Sequence, residues 1–395
     1  MSVQNSDKVM QFREDRRLNV ISALRSIALA GMLATIVFCI LAYHEDLNLD
    51  NIKRIVSYID RLTFDGRPTD TYVFDSGLDT TYAAFDVGIA ACSGGSFRFI
   101  PPFEDMDYSC QIKYASPQIE TCGQSLYVYD LGGRGISRFN SYSLLGSVTL
   151  DSDIISLSAN DSGDISVVTD EKGYRTAVTV YSKRFKELYK WQTSDHFAFL
   201  SALSPDGGTA AVLCIGQQNG AARFYIRLQP TDGGECRAEI DLGGMKVYSL
   251  EYYSNDRLVV LGEDGIYCYD QEGKLSDSFG FNSGSLITFS HERGGMCAVS
   301  LKGEKGDSSS VHVFDGRCRE VYSRDCSGAV RFMDLSGDTV AFITPEGVVK
   351  ADIAGGEEQQ AELSGARGVL ITETGNVAAV YSDHAQTVSF EETGE

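Results

Sequence analysis

The sequence is poor in proline, histidine and basic residues, and each shortage disfavours a class of protein. Seven prolines beside 40 glycines, 20 tyrosines and 20 phenylalanines do not fit a collagen-like or disordered chain and indicate strands joined by tight turns. The five histidines are scattered and form no HxH, HExxH or HxxxH pair, so no linear metal-binding motif is present. With 34 basic and 55 acidic residues the net charge is −21, which disfavours nucleic acid as a partner because phosphates repel an acidic surface.

Sequence motifs typical of catalysis are also missing. The chain contains no GxSxG nucleophile elbow and no phosphate-binding loop, and the glycine-rich residues 132–135 join two predicted strands without opening a helix. Residues 160–164, NDSGD, resemble an acidic calcium loop but lack its twelve-residue ligand spacing. We therefore predict no catalytic residue, no metal ligand and no cofactor. His291, in a predicted turn, and His312, in mid-strand, are predicted to be structural.

Ten cysteines are present, but their pattern does not indicate a disulfide framework. Excluding Cys39, which lies in a long apolar run, leaves an odd number, so at least one thiol is unpaired within the chain. No CxxC pair exists, and Cys318 and Cys326 flank one predicted strand that separates them by roughly 26 Å. Several others lie inside apolar strand patterns, where a thiol packs as a small hydrophobic group. Buried free thiols are therefore the favoured interpretation.

One apolar run stands apart from the rest of the chain. Residues 26–43, SIALAGMLATIVFCILAY, carry no charge, and a helix of this length covers roughly 27 Å, close to the thickness of the bilayer core. The preceding residues 1–25 have a net charge of +2, whereas the remainder carries −23, so the positive-inside rule predicts a cytoplasmic tail and an extracellular remainder. A cleaved signal peptide is the alternative, but the small-x-small site at residues 28–30 lies at the wrong end of the run. We predict a single-pass transmembrane helix in the plasma membrane.

Residues 44–68 are predicted to form a short amphipathic linker helix. Their apolar positions recur at helical spacing, and charged residues lie between them. Three arrangements are open for such a helix: it lies on the membrane surface, pairs with a second copy, or packs against the folded domain. Packing against the domain is favoured.

From residue 69 onward the helical period gives way to a strand repeat. Short apolar runs follow turn residues eight times, at intervals of 35 to 49 residues, a spacing typical of four-stranded propeller blades. We predict an all-β, eight-bladed β-propeller over residues 69–395, with seven blades as the alternative. The last repeat has only three strands, so residues 71–74, TYVF, are predicted to supply its outer strand and close the ring. The single tryptophan, Trp191, is predicted to pack between blades.

One turn carries a family resemblance. Residues 203–210, LSPDGGTA, contain an SPDG turn that resembles those of WD40-like, TolB-like and quinoprotein-like propellers, with Pro205 presetting the turn and Gly207 accepting positive φ. Together with the apolar run, the linker and the irregular repeats, residues 20–392 resemble the domain-of-unknown-function 5711 family, single-pass propeller proteins of Gram-positive anaerobic bacteria. The resemblance implies a membrane anchor and a propeller, and it implies no catalytic residues.

The location of the blade connections suggests where a partner binds. Propellers usually bind their ligands on the face that carries the connections between blades. The candidate interaction face consists of Asp153, Asp195, His196, Lys246, Asn282 and Arg367. We predict a noncatalytic, membrane-anchored extracellular platform or scaffold for a protein partner at the cell envelope. The alternative is a receptor or enzyme for a cell-wall glycan or other small molecule, which predicts acidic and aromatic residues converging at one mouth of the central channel.

Overall fold

The computed structural model describes residues 16–42, 71–73, 80–93, 95–102, 107–218, 220–292, 295–304 and 307–390. The chain divides into two units, Met1–Arg61 and Leu62–Glu395. In its described part the first unit contains one helix, α1, and the second contains the strands β1 to β32.

Helix α1 spans Arg16–Ala42 and begins ten residues before the predicted apolar helix. The additional turns, RRLNVISALR, contain neither proline nor glycine, so nothing in them interrupts the helix. Large apolar side chains between Leu24 and Phe38 are exposed. Among the described residues, no helix is both long enough and apolar enough to cross a bilayer. The predicted linker helix over residues 44–68 lies outside the described residues.

The described part of the second unit consists of eight antiparallel four-stranded sheets, the blades of a propeller, so eight blades rather than seven are confirmed. Blade 1 contains β2 (Thr81–Phe85), β3 (Gly88–Ser93), β4 (Ser96–Ile100) and β5 (Tyr108–Gln111). Blade 2 contains β6 (Pro117–Cys122), β7 (Ser125–Asp130), β8 (Gly135–Phe139) and β9 (Leu144–Thr149). Blade 3 contains β10 (Ile154–Ala159), β11 (Ile165–Thr169), β12 (Thr176–Tyr181) and β13 (Glu187–Thr193). Blade 4 contains β14 (Phe197–Leu203), β15 (Thr209–Gln218), β16 (Ala221–Pro230) and β17 (Ala238–Gly243).

The second half of the ring continues in the same way. Blade 5 contains β18 (Val247–Ser254), β19 (Arg257–Gly262), β20 (Gly265–Tyr269) and β21 (Leu275–Gly280). Blade 6 contains β22 (Leu286–Glu292), β23 (Met296–Lys302), β24 (Ser309–Asp315) and β25 (Glu320–Cys326). Blade 7 contains β26 (Met333–Ser336), β27 (Thr339–Thr344), β28 (Gly347–Asp352) and β29 (Glu358–Ala361). Blade 8 contains β30 (Gly368–Ile371), β31 (Val377–Val380), β32 (His384–Thr387) and β1 (Thr71–Val73).

The four strands of each blade follow one another outward from the axis, and their burial explains the sequence pattern. The first strands of neighbouring blades, such as β10 and β14 or β14 and β18, contact one another. Second strands such as β11 are buried along their whole length because adjacent blades cover both of their faces, which accounts for continuous runs such as ISVVT. Outermost strands such as β13 alternate between exposed and covered residues.

The hydrophobic core consists of clusters between blades. Each of the eight apolar clusters draws its residues from two adjacent blades, and together they cover every blade junction. Between blades 1 and 2 the rings of Phe97 and Phe139 stack with centroids 4.0 Å apart. Trp191 of β13 packs at the junction of blades 3 and 4, where the guanidinium of Arg227 lies 5.2 Å from its ring centroid. The predicted interblade role of Trp191 is confirmed, and every apolar cluster found among the described residues lies between two blades.

Ring closure follows the predicted scheme. Blade 8 has the strand order β1-β32-β31-β30, so β1 from the start of the unit is the outermost strand of the last blade. Residue 74, the end of the predicted strand, lies outside the described residues. The nine described cysteines are all free; seven are buried, and Cys110 and Cys236 are half-buried.

Candidate functional site

The ring has two chemically different ends, because the first strands of the blades all run in the same direction. The connection face is the end where one blade joins the next, immediately before each first strand. The turn face is the opposite end, where each first strand turns into the second. Residues from the C-terminal parts of the first strands of blades 1, 2, 5, 6, 7 and 8 line a single cavity, which places all of these turns at one end of the channel.

The six residues of the predicted interaction face all lie on the connection face, each shortly before a first strand. They belong to five blades and are Asp153, Asp195, His196, Lys246, Asn282 and Arg367. Asp153 pairs with Arg134 at 2.7 Å, and Lys246 lies 3.8 Å from Glu263. These exposed pairs contribute little to stability because water screens them. Asp195 and His196 line the same pocket.

That pocket, the blade-4 pocket, has a volume of about 470 Å³. It is lined by Asp195, His196, Gly216, Gln217, Arg223, Tyr225, Glu239 and Asp241. The His196 and Tyr225 rings meet edge to face with centroids 5.2 Å apart. Nε of Arg223 donates to Asp241 at 2.6 Å, and the hydrogen bond from the guanidinium lowers the pKa of Asp241. The pocket therefore combines three carboxylates with one guanidinium.

An extended hairpin forms one side of this pocket. Strands β15 and β16 have ten residues each, whereas every other described strand has three to eight. β14 pairs with β15 only as far as Ile215, and β17 pairs with β16 only from Phe224 onward. Residues 216–218 and 221–223 pair with each other but with no neighbouring strand, and we call residues 216–223 the blade-4 arm. Along both edges of the arm, the outward-facing backbone N–H and C=O groups are not paired with an adjacent strand.

Sequence reasoning did not identify the arm, although one signal was available. The longest interval in the repeat, 49 residues, runs from Gly207 to Asp256 and contains the last three strands of blade 4 and the first strand of blade 5. An interval about nine residues longer than the typical blade predicts an insertion within it. It does not predict which strands carry the extra residues, because apolar and polar residues alternate similarly in all of them.

A second cavity, the channel cavity, opens on the turn face and has a volume of about 520 Å³. Five carboxylates from five blades line it: Glu120, Glu251, Glu292, Asp334 and Glu373. Tyr82 and Phe85 of β2 and His291 of β22 also contribute to the wall. Burial raises the pKa of Glu373, and the like charge of Asp86 raises it further.

Several of these carboxylates also connect neighbouring blades. Asp334 accepts a hydrogen bond from the backbone N–H of Ile371 in blade 8 at 2.7 Å. Glu292 accepts from the backbone N–H of Gly337 in blade 7. Burial raises the pKa of Asp334 to about 6 even though the backbone N–H groups of Ile371 and Leu335, which donate to it, favour its charged form. The acidic wall is thus part of the contact between blades as well as the lining of the cavity.

His291 lies at the end of strand β22, so its predicted position in a turn is wrong. The two glycines at residues 294–295 indicate a turn, but pairing with β23 extends the strand to Glu292. Nδ1 of His291 lies 2.9 Å from the Tyr253 hydroxyl, which itself lies 2.9 Å from the Met296 carbonyl oxygen. Since a carbonyl only accepts, Tyr253 donates to Met296 and Nδ1 donates to Tyr253.

This arrangement leaves Nε2 of His291 as an acceptor. Burial lowers the pKa of His291 to about 4, so the ring is neutral at pH 7. Nε2 is buried, and no described residue gives it a hydrogen bond. Among the described residues, no group of three or more histidine, cysteine, aspartate or glutamate side chains is arranged to hold a metal ion. His312, by contrast, is held in β24 by Glu320 and Ser310 at 2.9 and 2.8 Å.

Comparisons with known proteins show a family and a fold. The model of a family described as "Family of unknown function (DUF5711)" matches residues 67–390, and no curated protein matches the chain. The C-terminal WD40 domain of Sif2 is 12% identical, with a TM-score of 0.58, over 82% of this chain and 98% of that one. Sqt1 from Saccharomyces cerevisiae is 10% identical, with a TM-score of 0.55, over 82% and 100%. BamB from Moraxella catarrhalis is 13% identical, with a TM-score of 0.49, over 83% and 98%.

Proposed function

The chain belongs to the DUF5711 family, and we propose that its propeller is a noncatalytic platform that binds a protein partner on the connection face. The observation that carries this proposal is the blade-4 arm. Its two strands extend past β14 and β17, so their outer backbone groups are available to another chain. An extended segment of a partner adds to such an edge through main-chain hydrogen bonds.

Charge determines which kind of segment suits this edge. Asp195, Glu239 and Asp241 line the pocket beside the arm, where Arg223 pairs with Asp241 and Arg227 pairs with Glu239 at 2.7 Å. Residues 26–395 as a whole carry a net charge of −23. A partner segment with basic side chains is attracted to this surface, whereas an acidic one is repelled. We therefore propose an extended, basic segment of an envelope protein as the partner.

The platform is proposed to be anchored in the plasma membrane, with the propeller outside the cell. This part of the proposal rests on the sequence: residues 26–43 carry no charge, and the segment before them is basic. The lipid bilayer would then be a partner of those residues. Resistance of the chain to alkaline extraction from membranes, together with digestion of the propeller by external protease in intact protoplasts, tests this placement. Release by alkali or protection from protease contradicts it.

The arm is tested by shortening the hairpin. Replacing residues 216–223 by Asn-Gly joins Ile215 to Phe224 through a two-residue type I′ turn and retains the part of blade 4 that pairs with β14 and β17. Membrane-impermeant crosslinking in intact cells, followed by mass spectrometry, compares the partners of this variant with those of wild type. We expect a partner of wild type to be lost from the variant and to be retained by Asp161→Lys on the turn face. Identical partner sets for all three proteins contradict the proposal.

A second candidate function is a receptor, or an enzyme, for a cell-wall glycan or other small molecule at the channel. The observation that favours it is the convergence of five carboxylates on the channel cavity, whose lining also includes Tyr82 and Phe85. This is the convergence that the sequence-based alternative requires. Carboxylates and aromatic rings at one site can bind a polar ligand and fix its orientation.

A further inference from the structure

Two thiols from neighbouring blades meet in the core between blades 5 and 6. Cys268 lies on β20 of blade 5, and Cys318 lies in the turn between β24 and β25 of blade 6. Both belong to the apolar cluster at this junction, with exposures of 0% and 5%, and both are free. Sγ of Cys268 donates to the carbonyl oxygen of Gly316, two residues before Cys318, at 3.6 Å. The two thiols are also hydrogen-bonded to each other, so their sulfur atoms are neighbours across the junction.

The backbone conformation at Cys318 is one that favours glycine. Its φ of +55° lies in the left-handed region, and its N–H donates to the carbonyl oxygen of Asp315 at 2.9 Å. In the corresponding turn of blade 5, Gly273 makes the same bond to Asp270 at 3.0 Å with a φ of +76°. Blade 5 thus has glycine where blade 6 has cysteine. A cysteine at this position strains the backbone, and the contacts of its side chain must offset that strain.

The side chain at this turn position faces the preceding blade. A Cβ added to Gly273 would lie 2.9 Å from the Cβ of Ala238 in blade 4. Phe185 holds the same position in blade 3, with a φ of +59°, and packs edge to face on Tyr127 of blade 2 with ring centroids 6.1 Å apart. The fold therefore directs the Cys318 side chain to blade 5, where it meets a second thiol.

The two thiols differ in acidity. The hydrogen bond from Cys318 lowers the pKa of Cys268; burial opposes this shift, and the positive charge of Arg257 supports it. Burial raises the pKa of Cys297, a third thiol of the same cluster. Since the thiolate is the nucleophile in disulfide exchange, Cys268 is the thiol of this cluster that attacks an oxidant.

We propose that Cys268 and Cys318 form a disulfide between blades 5 and 6 by exchange with a small-molecule disulfide such as glutathione disulfide. The Cys268 thiolate attacks one sulfur of the oxidant, forms a mixed disulfide and releases one glutathione. Cys318 then loses its proton, attacks the Cys268 sulfur and releases the second glutathione. The two thiols lose two electrons and two protons, and the oxidant becomes two thiols. Because the pair is buried, exchange takes place as the blades assemble or when the turn at Cys318 opens.

The disulfide would tie together two blades that are otherwise joined by packing. It closes a loop of about 50 residues, which restricts the unfolded chain, so we expect the disulfide form to melt about 5 °C above the dithiol form. Disulfides persist in oxidising surroundings, so the bond suits a propeller outside the cell. The proposal depends neither on that placement nor on the blade-4 arm or the channel cavity.

The test uses the purified full chain in detergent. One sample is incubated with glutathione disulfide in dilute urea, which opens the turn, and a second with dithiothreitol; both are then unfolded and alkylated. Cleavage after glutamate places Cys268, Cys297 and Cys318 on separate peptides, residues 264–272, 293–304 and 305–320. We expect mass spectrometry to find the first and third peptides linked in the oxidised sample alone.

Matched variants show whether this pair causes the difference in melting temperature. We expect the difference between the oxidised and reduced forms to disappear in Cys268→Ser and in Cys318→Gly. The second variant places at the turn the residue that blade 5 has there, so it tests the proposal even where the first fails to fold. Cys92→Ser, which changes a cysteine that is 1% exposed in blade 1, is the control and should retain the difference.

Three results would overturn the proposal. The first is alkylation of both Cys268 and Cys318 after incubation with glutathione disulfide. The second is a linked peptide that contains Cys297 in place of either of them. The third is a difference in melting temperature that persists in Cys318→Gly, since the stabilising bond would then lie elsewhere.

Discussion

Tyr72 of β1 lies opposite Ala385 of β32, so residues more than 300 positions apart in the chain are neighbours in one sheet. The Tyr72 side chain is 3% exposed and packs with Ile89 of blade 1 and Val380 of blade 8. The contact joins the two ends of the propeller and also fills the junction between its first and last blades. The backbone pairing of β1 with β32 makes the join, and the Tyr72 side chain fills the junction.

Removing that side chain should open the ring. We expect Tyr72→Ala to lower the free energy of unfolding by about 3 kcal/mol, because it removes a buried aromatic ring and leaves a cavity. Val73 in the same strand is 63% exposed, and Val73→Ala is the control, with an expected change below about 0.5 kcal/mol. Urea unfolding followed by circular dichroism measures both. Equal effects of the two substitutions, or unchanged stability after deletion of residues 69–75, would contradict this closure.

Asp334 should make the propeller less stable as the pH rises. Burial raises its pKa from 3.8 to about 6, so between pH 4 and 6 the folded state binds more protons than the unfolded one and stability falls with pH. The shift corresponds to about 3 kcal/mol across this window. Asp334→Asn removes this titration and keeps a neutral acceptor for Ile371, so we expect its stability to rise more steeply with pH than that of wild type. Urea unfolding at pH 4, 5, 6 and 7 measures the slope, and parallel curves would refute the assignment.

His291 has the opposite effect in nearly the same window. Burial lowers its pKa from 6.5 to about 4, so the unfolded state binds more protons there and the stability contributed by His291 is lost as the pH falls. We expect His291→Gln to lose stability less steeply than wild type between pH 6.5 and 4. The same urea series measures it, with His384→Gln as the control, a histidine of blade 8 whose side chain is 33% exposed. A variant curve that follows wild type would show that His291 does not titrate in this way.

The junction of blades 3 and 4 can be followed through the single tryptophan. We expect Arg227→Met, which keeps the alkyl chain and removes the guanidinium over Trp191, to lower stability by about 1 kcal/mol and to shift Trp191 fluorescence. Arg223→Met, four residues away on the blade-4 arm, removes an exposed ion pair and should leave the fluorescence unchanged. Emission spectra and thermal unfolding of the two variants test the contact. The same spectral shift in both would show that it is not specific to Arg227.

Thiol reactivity should follow burial. Of the nine described cysteines, Cys110 and Cys236 are half-buried, and we expect a thiol reagent to modify them in the native protein before the seven buried ones. At Cys236 burial raises the pKa and so reduces the thiolate fraction, which slows its reaction relative to that of the unfolded chain. Peptide mapping by mass spectrometry after timed labelling measures the order. Unlabelled cysteines in the unfolded, unreduced chain would instead indicate disulfides.

Much of the architecture could be predicted because its causes are local. The SPDG turn is one example: Gly207 adopts a φ of +71°, and the Ser204 hydroxyl donates to Asp206 at 2.7 Å, as the short-range chemistry of those residues favours. Turns of this kind recur at the blade period. The number of blades and the need for an extra outer strand can therefore be predicted from the sequence. The error at His291 has the same origin, since the adjacent glycines indicate a turn and only the partner strand β23 extends β22 past it.

By itself the sequence determined the repeat, the blade count, the strand at residues 71–73 that closes the ring and the excess of negative charge. Turn residues and apolar alternation act over a few positions and therefore remain visible in a single chain. Only the tertiary structure decided that Glu120, Glu251 and Asp334 line one cavity, and that β15 and β16 extend past their neighbours. The reason is geometric: ring closure brings together residues from blades far apart in the chain, and a strand edge is free or paired according to the length of the strand beside it.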